Sequence, residues 1–203
     1  MRYDECNLRY YMSNMDKYGN GDPRVLWREP DLQKKRFTKQ SELLNFNNKS
    51  ILDVGCGYGD FYVHLLKCNM NPASYTGIDL VEEHCKVAMK KLPSSINVIH
   101  GDFLKVELTR FDISVLSGVL NVYCDNWAQT TVLILDKMWA LSKEAIIFNI
   151  RSPHSLLDRY EVREQQKKDI DPAIWCRYAH EKTDKYCLHH DYASYDYTVC
   201  MWK

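Results

Sequence analysis

Three glycines at alternate positions, directly after an apolar run, are the residues of this chain best placed to do chemistry. Residues 51–54 read Ile-Leu-Asp-Val, and Gly55, Gly57 and Gly59 follow with one residue between each. A short apolar run of this kind is typical of a buried parallel strand. Glycines after such a strand permit a tight turn with positive φ and let a ligand approach the bare backbone. The pattern predicts a nucleotide-cofactor site between a strand and a helix N-terminus.

The spacing of the glycines distinguishes between classes of nucleotide cofactor. Dinucleotide-binding folds use G-x-G-x-x-G, whereas this turn is the tighter D-x-G-x-G-x-G, beginning at Asp53. It resembles motif I of the class I S-adenosylmethionine (SAM) methyltransferases. The resemblance implies that the turn, including Cys56, wraps the methionine part of the cofactor. Asp53 either orients the turn through backbone N–H groups or approaches the cofactor ammonium, and the sequence favours the two roles equally.

Acidic residues follow the next two predicted strands, where a cofactor at the carboxyl edge of a sheet would need them. Asp79 ends the second strand and is followed by Leu80, a further candidate cofactor contact. Asp102 and Phe103 follow the third strand. The resemblance implies that Asp79 accepts hydrogen bonds from the ribose hydroxyls, that Asp102 takes the adenine amino group, and that Phe103 lies against the ring. The alternatives are an N-cap at Asp79 and a plain turn at Asp102.

The exit of the fourth predicted strand lies beside the methionine moiety and the substrate in the resembled family. There Ser117 is a candidate cofactor contact and Asn121 a candidate substrate contact, with turn and cap chemistry as the alternative for both. This exit lacks the N-P-P-Y or D-P-P-Y sequence that amino-methylating nucleic-acid and glutamine enzymes of the fold carry. Arg151 and His154, just beyond the fifth strand, are further candidates for substrate contact, with ordinary loop solvation as the alternative.

Residues 1–48 form an aromatic N-terminal segment that we expect to be a helical lid over the site. Tyr10, Tyr18 and Trp27 are its candidate substrate contacts. Arg36 is a candidate partner for the cofactor carboxylate. The alternative is an N-terminal helix packed on the sheet with its charges solvated.

The order of predicted elements indicates an α/β fold. Strands that alternate with helices imply right-handed crossovers and a parallel sheet. Two β-rich runs at 186–192 and 195–202, joined by Ala193-Ser194, predict an antiparallel hairpin. We therefore expect a Rossmann-like, seven-stranded, mostly parallel sheet with a C-terminal antiparallel hairpin and helices on both faces, in which residues 49–203 form the methyltransferase domain. The predicted parallel strands are 51–54, 75–79, 96–99, 112–116 and 145–150, and the predicted helices are 32–44, 60–68, 81–92, 127–141, 155–167 and 172–181.

Composition and charge narrow the class of function. Lys plus Arg and Asp plus Glu both number 27 in 203 residues, so no overall positive field draws the chain to nucleic acid. The eight cysteines are scattered, without C-x-x-C pairs or zinc spacing, so we expect no metal site and free thiols in a reducing cytoplasm. No apolar run approaches membrane-spanning length, and the N-terminus lacks the apolar region of a signal peptide. A cytoplasmic protein without a membrane partner is the prediction.

These features predict a SAM-dependent methyltransferase that transfers a methyl group to a nitrogen or oxygen of a small polar metabolite by in-line displacement. No residue stands out as a general base, so we expect catalysis by alignment with water excluded. Two alternatives stay open. One is an RNA or protein methyltransferase acting with a partner, for which basic residues in 34–39 could contact phosphate, although such runs are usually solvated. The other is a catalytically silent SAM-binding protein.

Overall fold

The computed structural model describes residues 2–26, 30–153 and 169–203. The strands in these ranges are β1 (Ser50–Val54), β2 (Ser74–Asp79), β3 (Asn97–His100), β4 (Phe111–Leu116), β5 (Ser142–Arg151), β6 (Tyr186–His189) and β7 (Asp196–Trp202). The α-helices are α1 (Tyr3–Tyr18), α2 (Pro30–Leu43), α3 (Asp60–Lys67), α4 (Glu82–Lys91), α5 (Trp127–Leu141) and α6 (Pro172–Lys182). Short 3₁₀ turns lie at Pro23–Val25 and Val119–Asn121.

The strands form one sheet in the order β3-β2-β1-β4-β5-β7-β6. Neighbours among β1–β5 pair in parallel, whereas β7 runs antiparallel to both β5 and β6. Among the described strands, β7 is therefore the reversed one, and β6 runs in the same direction as β1–β5. The strand order reverses between β1 and β4, and open α/β sheets bind ligands at the carboxyl ends of such strands. The predicted fold class is confirmed.

Helices cover both faces of the sheet because the central strands are apolar on both faces. One buried cluster joins α5 and α6 to the sheet and includes Leu52 and Trp127. A second buried cluster joins α2 and α3 to the opposite face and includes Ile51 and Phe61. Neighbouring residues of β1 thus face different clusters, as the period of two in a strand requires. Among the described helices, none is long and apolar enough to cross a membrane.

The predicted elements agree with the structure apart from small shifts at their ends. β5 begins at Ser142 rather than at residue 145, because Ser142 still pairs with Phe111 of β4. β6 ends at His189, so the hairpin connection is longer than the predicted Ala193-Ser194. The helix predicted over 155–167 lies outside the described residues. α1, which the sequence indicated only as part of a helical segment, runs from Tyr3 to Tyr18.

Candidate active site

A cleft opens at the carboxyl ends of β1, β2, β3 and β4, the edge at which the sequence predicted a cofactor. Its volume is about 1020 Å³ when the open space at its mouth is included. The lining comes from the exits of these strands and from the N-terminal segment. The predicted cofactor residues that lie in the lining are Asp53, Gly55, Cys56, Gly57, Asp79, Leu80, Asp102, Phe103 and Ser117.

At two positions of the turn after β1, both the backbone conformation and the surroundings require glycine. The backbone φ is 73° at Gly55 and 54° at Gly57, a region that residues with a Cβ rarely adopt. A Cβ on Gly55 would lie 2.0 Å from a methyl carbon of Val119, and one on Gly57 would lie 2.8 Å from Leu26. Gly59 lies outside the cleft lining, where it is the N-cap of α3.

Hydrogen bonds from β2 hold this turn in place. The N–H groups of Gly55 and Cys56 donate to the Ile78 carbonyl, at 2.7 and 3.1 Å. The Gly57 N–H donates to Asp79 Oδ2 at 2.8 Å. The turn is therefore oriented by β2 and by Asp79 at its end. Asp53, within β1, is not needed for that purpose.

Asp53 is buried near the end of β1 and lines the cleft. Its carboxyl accepts a hydrogen bond from the Tyr75 hydroxyl. Burial away from water raises the pKa of Asp53 to about 7, and the nearby charge of Asp79 adds to the effect. A cation that enters the cleft would favour the ionised carboxylate. Of the two roles considered for Asp53, contact with the cofactor ammonium is the one that this position supports.

Asp79 connects the glycine turn to α4. Besides the Gly57 N–H, its carboxylate accepts from the Val81 N–H at 2.9 Å and from His84 Nδ1 at 3.2 Å, both on Oδ1. The N-cap of α4 is Val81 rather than Asp79. Asp79 therefore contacts the start of the helix and also lines the cleft, so it keeps the position expected of a ribose-binding acid.

At the exit of β3, Asp102 and Phe103 lie in the lining of the cleft. Asp102 Oδ1 accepts from the Leu104 N–H at 3.0 Å, and Oδ2 lies 2.8 Å from the ammonium of Lys105. Phe103 is buried against the core, and the ammonium of Lys137 lies 5.1 Å from the centre of its ring. Asp102 thus closes a turn, as the alternative proposed, and remains beside the space in which an adenine would lie.

One face of α1 forms the wall opposite the sheet. Tyr3, Asn7 and Tyr11 line the cleft together with Asp4, because residues four apart share one face of a helix. The Tyr3 hydroxyl donates to the Val119 carbonyl at 2.8 Å and ties α1 to the exit of β4. Burial raises the pKa of Tyr11, so its hydroxyl is neutral at physiological pH. The four-residue spacing of these polar and aromatic side chains is the sequence signal that could have revealed this wall.

Comparison with known proteins shows what the central part of the chain is similar to. Residues 51–139 match a family model described as a methyltransferase domain. A phthiotriol/phenolphthiotriol dimycocerosates methyltransferase of Mycobacterium tuberculosis is 32% identical over 88 residues. This match covers 42% of the chain and 31% of that relative, so the chain spans less than a third of its length. This match, over less than half of the chain, supports the class I SAM-dependent methyltransferase family that the sequence predicted.

Solved methyltransferases share the fold over nearly the whole chain. The magnesium protoporphyrin IX methyltransferase of Synechocystis PCC 6803, with bound SAM, has a TM-score of 0.64 and 13% identity, covering 100% of this chain and 98% of that one. A plantazolicin methyltransferase with bound S-adenosylhomocysteine (SAH) has a TM-score of 0.64 and 16% identity, covering 99% and 96%. These structures confirm the predicted fold, and the domain match over residues 51–139 supports the predicted methyltransferase family with SAM as its cofactor.

The cleft fits SAM, the cofactor that the sequence predicted. Two buried polar atoms on its lining residues, Ser117 Oγ and His84 Nε2, have no hydrogen-bond partner within the described ranges. Such atoms are rare in native proteins unless a water or ligand completes them. Asp53 and Asp79 add carboxylates at the ends of the two adjacent strands. These groups match a ligand with an ammonium and several hydroxyls.

The position of Arg36 does not fit its predicted role as a partner for the cofactor carboxylate. Its side chain is fully buried, and its guanidinium donates to Asp196 of β7, with Nε at 2.8 Å. Asn149 and Tyr192 also donate to Asp196, at 3.1 and 2.8 Å. Arg36 lies outside the cleft lining. Its charge is matched by Asp196 rather than offered to a cofactor carboxylate.

The candidate substrate residues of the N-terminal segment also lie outside the cleft lining. Tyr10 is next to Tyr11 on α1, with its ring 5.1 Å from that of Tyr11. Tyr18 lies beneath the guanidinium of Arg24, 5.0 Å from the ring centre. Only every third or fourth residue of a helix faces one side, and α1 presents Tyr11 rather than Tyr10 or Tyr18 to the cleft. Trp27 is outside the described residues.

Two further candidates lie outside the cleft lining. Asn121 belongs to the 3₁₀ turn after β4, and its backbone N–H donates to the Gly118 carbonyl at 3.2 Å. Arg151 ends β5 and pairs in register with Asp196 of β7. Both are half-buried. His154 lies outside the described residues.

Proposed function

We propose that this protein transfers the methyl group of SAM to a nitrogen or oxygen atom of a small polar molecule. SAM supplies a methyl group on a sulfonium, which a nucleophile displaces in line. The observation that carries the proposal is the wall of α1, which encloses the cleft opposite the sheet and is tied to it by the Tyr3–Val119 hydrogen bond. Residues 1–48 would thus act as a lid, and an enclosed cleft of this size suits a small ligand.

The chain would hold the cofactor by groups at the ends of four adjacent strands. Asp53 would meet the ammonium, Asp79 the ribose, and Asp102 with Phe103 the adenine. Ser117, at the exit of β4, would complete the site on the side of the transferred methyl group. The role of the protein is to align the reacting atoms and to exclude water, which is worth several orders of magnitude in rate.

The α1 wall offers a methyl acceptor a hydrogen bond rather than a base. Tyr11 has a raised pKa and therefore keeps its proton, so it can donate to an acceptor but not deprotonate it. An amine that is neutral when bound needs no base. We accordingly propose methyl transfer by alignment, without a dedicated proton acceptor among the described residues.

Charge pairing on α2 argues against a nucleic-acid substrate. Lys39 lies 3.2 Å from Glu42 and 3.4 Å from Asp191, and Arg36 is buried with Asp196. Two of the four basic residues in 34–39 are therefore paired with acids, whereas Lys34 and Lys35 are exposed, and a short exposed basic pair is usually a solvated helix face. Two of the compared enzymes are named for phthiotriol dimycocerosates and for magnesium protoporphyrin IX, and neither name is that of a protein or nucleic acid.

A reducing cytoplasm is the location that we propose. None of the eight cysteines, each of which falls within the described ranges, forms a disulfide bond. Proteins of oxidising compartments usually pair their cysteines. Fractionation of cells that express a tagged copy would test the location.

Incubation of the purified protein with methyl-labelled SAM and a cell lysate tests the proposed function. Label in the small-molecule fraction is the expected result, and Gly57→Val is the control because the change removes the cofactor site. Label in RNA or protein would favour the polymer methyltransferase. Tight SAM binding with no transfer to any fraction would favour the catalytically silent protein.

A further inference from the structure

A buried histidine beside Asp79 has an atom that the fold leaves unused. His84, in the first turn of α4, is 1% exposed and lines the cleft. Its Nδ1 lies 3.2 Å from Asp79 Oδ1. Its Nε2 is buried and has no hydrogen-bond partner in the described part of the chain. Because buried polar atoms nearly always have a partner, an unpartnered one on a cleft residue indicates a ligand.

The hydrogen bonds of Asp79 determine which ring nitrogen of His84 carries the hydrogen. Both oxygens of Asp79 already accept backbone N–H groups, from Gly57 and Val81. An ionised carboxylate can only accept hydrogen bonds, so His84 Nδ1 must carry a hydrogen and donate it to Asp79. In the neutral imidazole the other nitrogen is then an acceptor. In this neutral form Nε2 of His84 presents a lone pair, and its natural partner is a hydroxyl or amine donor.

Two tyrosine rings enclose the imidazole. Tyr11 from α1 and Tyr58 from the glycine turn approach it edge-on, with ring centres 5.2 and 5.3 Å away and interplanar angles of 82° and 87°. The Tyr58 hydroxyl accepts from the Gly21 N–H at 3.1 Å, so the N-terminal segment also closes over this corner. The ring of His84 is thereby held in one orientation and shielded from water, as a preorganised binding group requires.

The accepting capacity of Asp79 shows why a second acceptor is needed. A carboxylate offers about four lone-pair sites. The donors Gly57, Val81 and His84 occupy three of these within the described chain, and the remaining site is on Oδ2. The ribose of SAM carries two adjacent hydroxyls. Asp79 can therefore accept one of them, and the other requires a different acceptor nearby.

We propose that His84 is a second ribose-binding residue, which accepts one ribose hydroxyl through Nε2 while Asp79 Oδ2 accepts the other. The inference rests on the proposed function, because it requires SAM in the cleft. His84 and Asp79 form one hydrogen-bonded unit, so the same bond that fixes the histidine tautomer also orients the acid. A carboxylate with all its lone pairs available could accept both ribose hydroxyls alone, whereas here one hydroxyl goes to Asp79 and the other to His84.

Calorimetric titration of the full chain with SAH and with its 2′-deoxy and 3′-deoxy analogues tests this division. His84→Asn keeps an N–H for Asp79 but has no atom at the position of Nε2, whereas His84→Gln extends a polar group towards it. We expect the wild type to bind both analogues more weakly than SAH. His84→Asn should bind SAH about tenfold more weakly, as the loss of one hydrogen bond implies. It should also cease to distinguish SAH from one of the analogues.

His84→Gln should remain within about threefold of the wild-type affinity, as a near-neutral hydrogen-bond replacement implies. If His84→Asn still discriminates against both analogues, His84 only positions Asp79 and the inference is overturned. Equal affinity of the wild type for SAH and for either deoxy analogue would overturn it as well. A wild type that does not bind SAH at all would instead refute the proposed function, and with it the role of His84.

Nitrogen NMR of the wild-type protein gives a second test that needs no folded variant. Labelled histidine provides signals for the seven histidines, and a hydrogen bond accepted by a neutral imidazole nitrogen shifts the signal of that nitrogen. Saturation with SAH should move the Nε2 signal of His84 and leave its Nδ1 proton in place. An unmoved Nε2 signal in the SAH complex would overturn the inference while leaving SAM binding intact.

Discussion

Asp53 and Asp112 lie at opposite ends of two paired strands, and their surroundings differ. Asp112, the second residue of β4, accepts from the Ser50 N–H and hydroxyl, both at 2.8 Å, and from Lys143 at 3.0 Å. The Ser50 hydrogen bonds lower the pKa of Asp112 to about 2. Asp53, near the end of β1, is buried with the Tyr75 hydroxyl as a donor, and burial raises its pKa to about 7. At one edge the carboxylate is fully stabilised by the fold, and at the other it is not.

Two serines of β4 and its exit show the same contrast. Ser114, inside the strand, lies 2.7 Å from the hydroxyl of Ser142. Ser117, three residues later, has a buried hydroxyl without a partner among the described residues. Asp112 and Ser114 therefore help to build the fold, whereas Asp53 and Ser117, at the carboxyl edge, are incompletely paired within it. Such local exceptions are expected where a ligand completes the structure.

The largest effect on SAH affinity should follow from Gly57→Val, which alters the glycine turn at the carboxyl edge. A side chain at this position meets both an unfavourable φ of 54° and Leu26 at 2.8 Å. We expect no measurable SAH binding in calorimetry. Gly19→Val is the matched control, because φ is 86° there but the space around its Cβ is open. If Gly57→Val binds SAH like the control, the turn is not the cofactor site.

A smaller effect, on both binding and stability, should follow from Asp53→Asn. The carboxyl of Asp53 holds its proton up to about pH 7 in the folded protein, whereas the ordinary pKa is 3.8. Raising the pH from about 4 to 7 therefore weakens the wild type, because the unfolded chain releases this proton first. Asp53→Asn has no proton to release at this position, so at pH 8 its Tm should exceed that of the wild type. The difference should be roughly 2–4 °C for each kcal/mol of unfolding free energy that the variant gains.

The same variant should bind SAH more weakly. Loss of a charged hydrogen bond to the ammonium corresponds to roughly 10- to 100-fold in affinity. In the wild type the affinity should fall as the pH drops below about 7, because the neutral carboxyl cannot pair with a cation, and the variant should lose this pH dependence. Asp112→Asn is the opposite case: its Tm at pH 8 should fall and its SAH affinity should stay. Equal behaviour of the two variants would contradict the contrast between the edges.

The smallest effects should come from the two serines. Ser117→Ala removes a hydroxyl without a described partner, so the free energy of unfolding should change by less than about 0.5 kcal/mol. Its SAH affinity should fall by roughly threefold to tenfold, the value of one net hydrogen bond. Ser114→Ala should show the reverse, with about 1 kcal/mol of stability lost and the affinity unchanged. Chemical denaturation and calorimetry of both variants would check the pair.

The parts of the site that could be predicted are those set by short segments of chain. The strand, turn and helix around Gly55 and Gly57 are contiguous, and parallel strands place Asp79 and Asp102 at the same edge as that turn. The α1 wall was harder to locate. Tyr11 rather than Tyr10 lines the cleft, a matter of helix rotation that depends on where α1 begins and what it packs against.

By itself the sequence determined the fold class and indicated the family and the cofactor, because each depends on patterns within a few neighbouring residues or on the order of elements. The tertiary structure decided how the polar groups are used. Arg36 meets Asp196, which is 160 residues away, and Tyr3 meets Val119, which is 116 residues away. The raised pKa of Asp53 likewise comes from burial by several elements at once. Such pairings and burial arise only when distant segments pack together, so no local pattern can encode them.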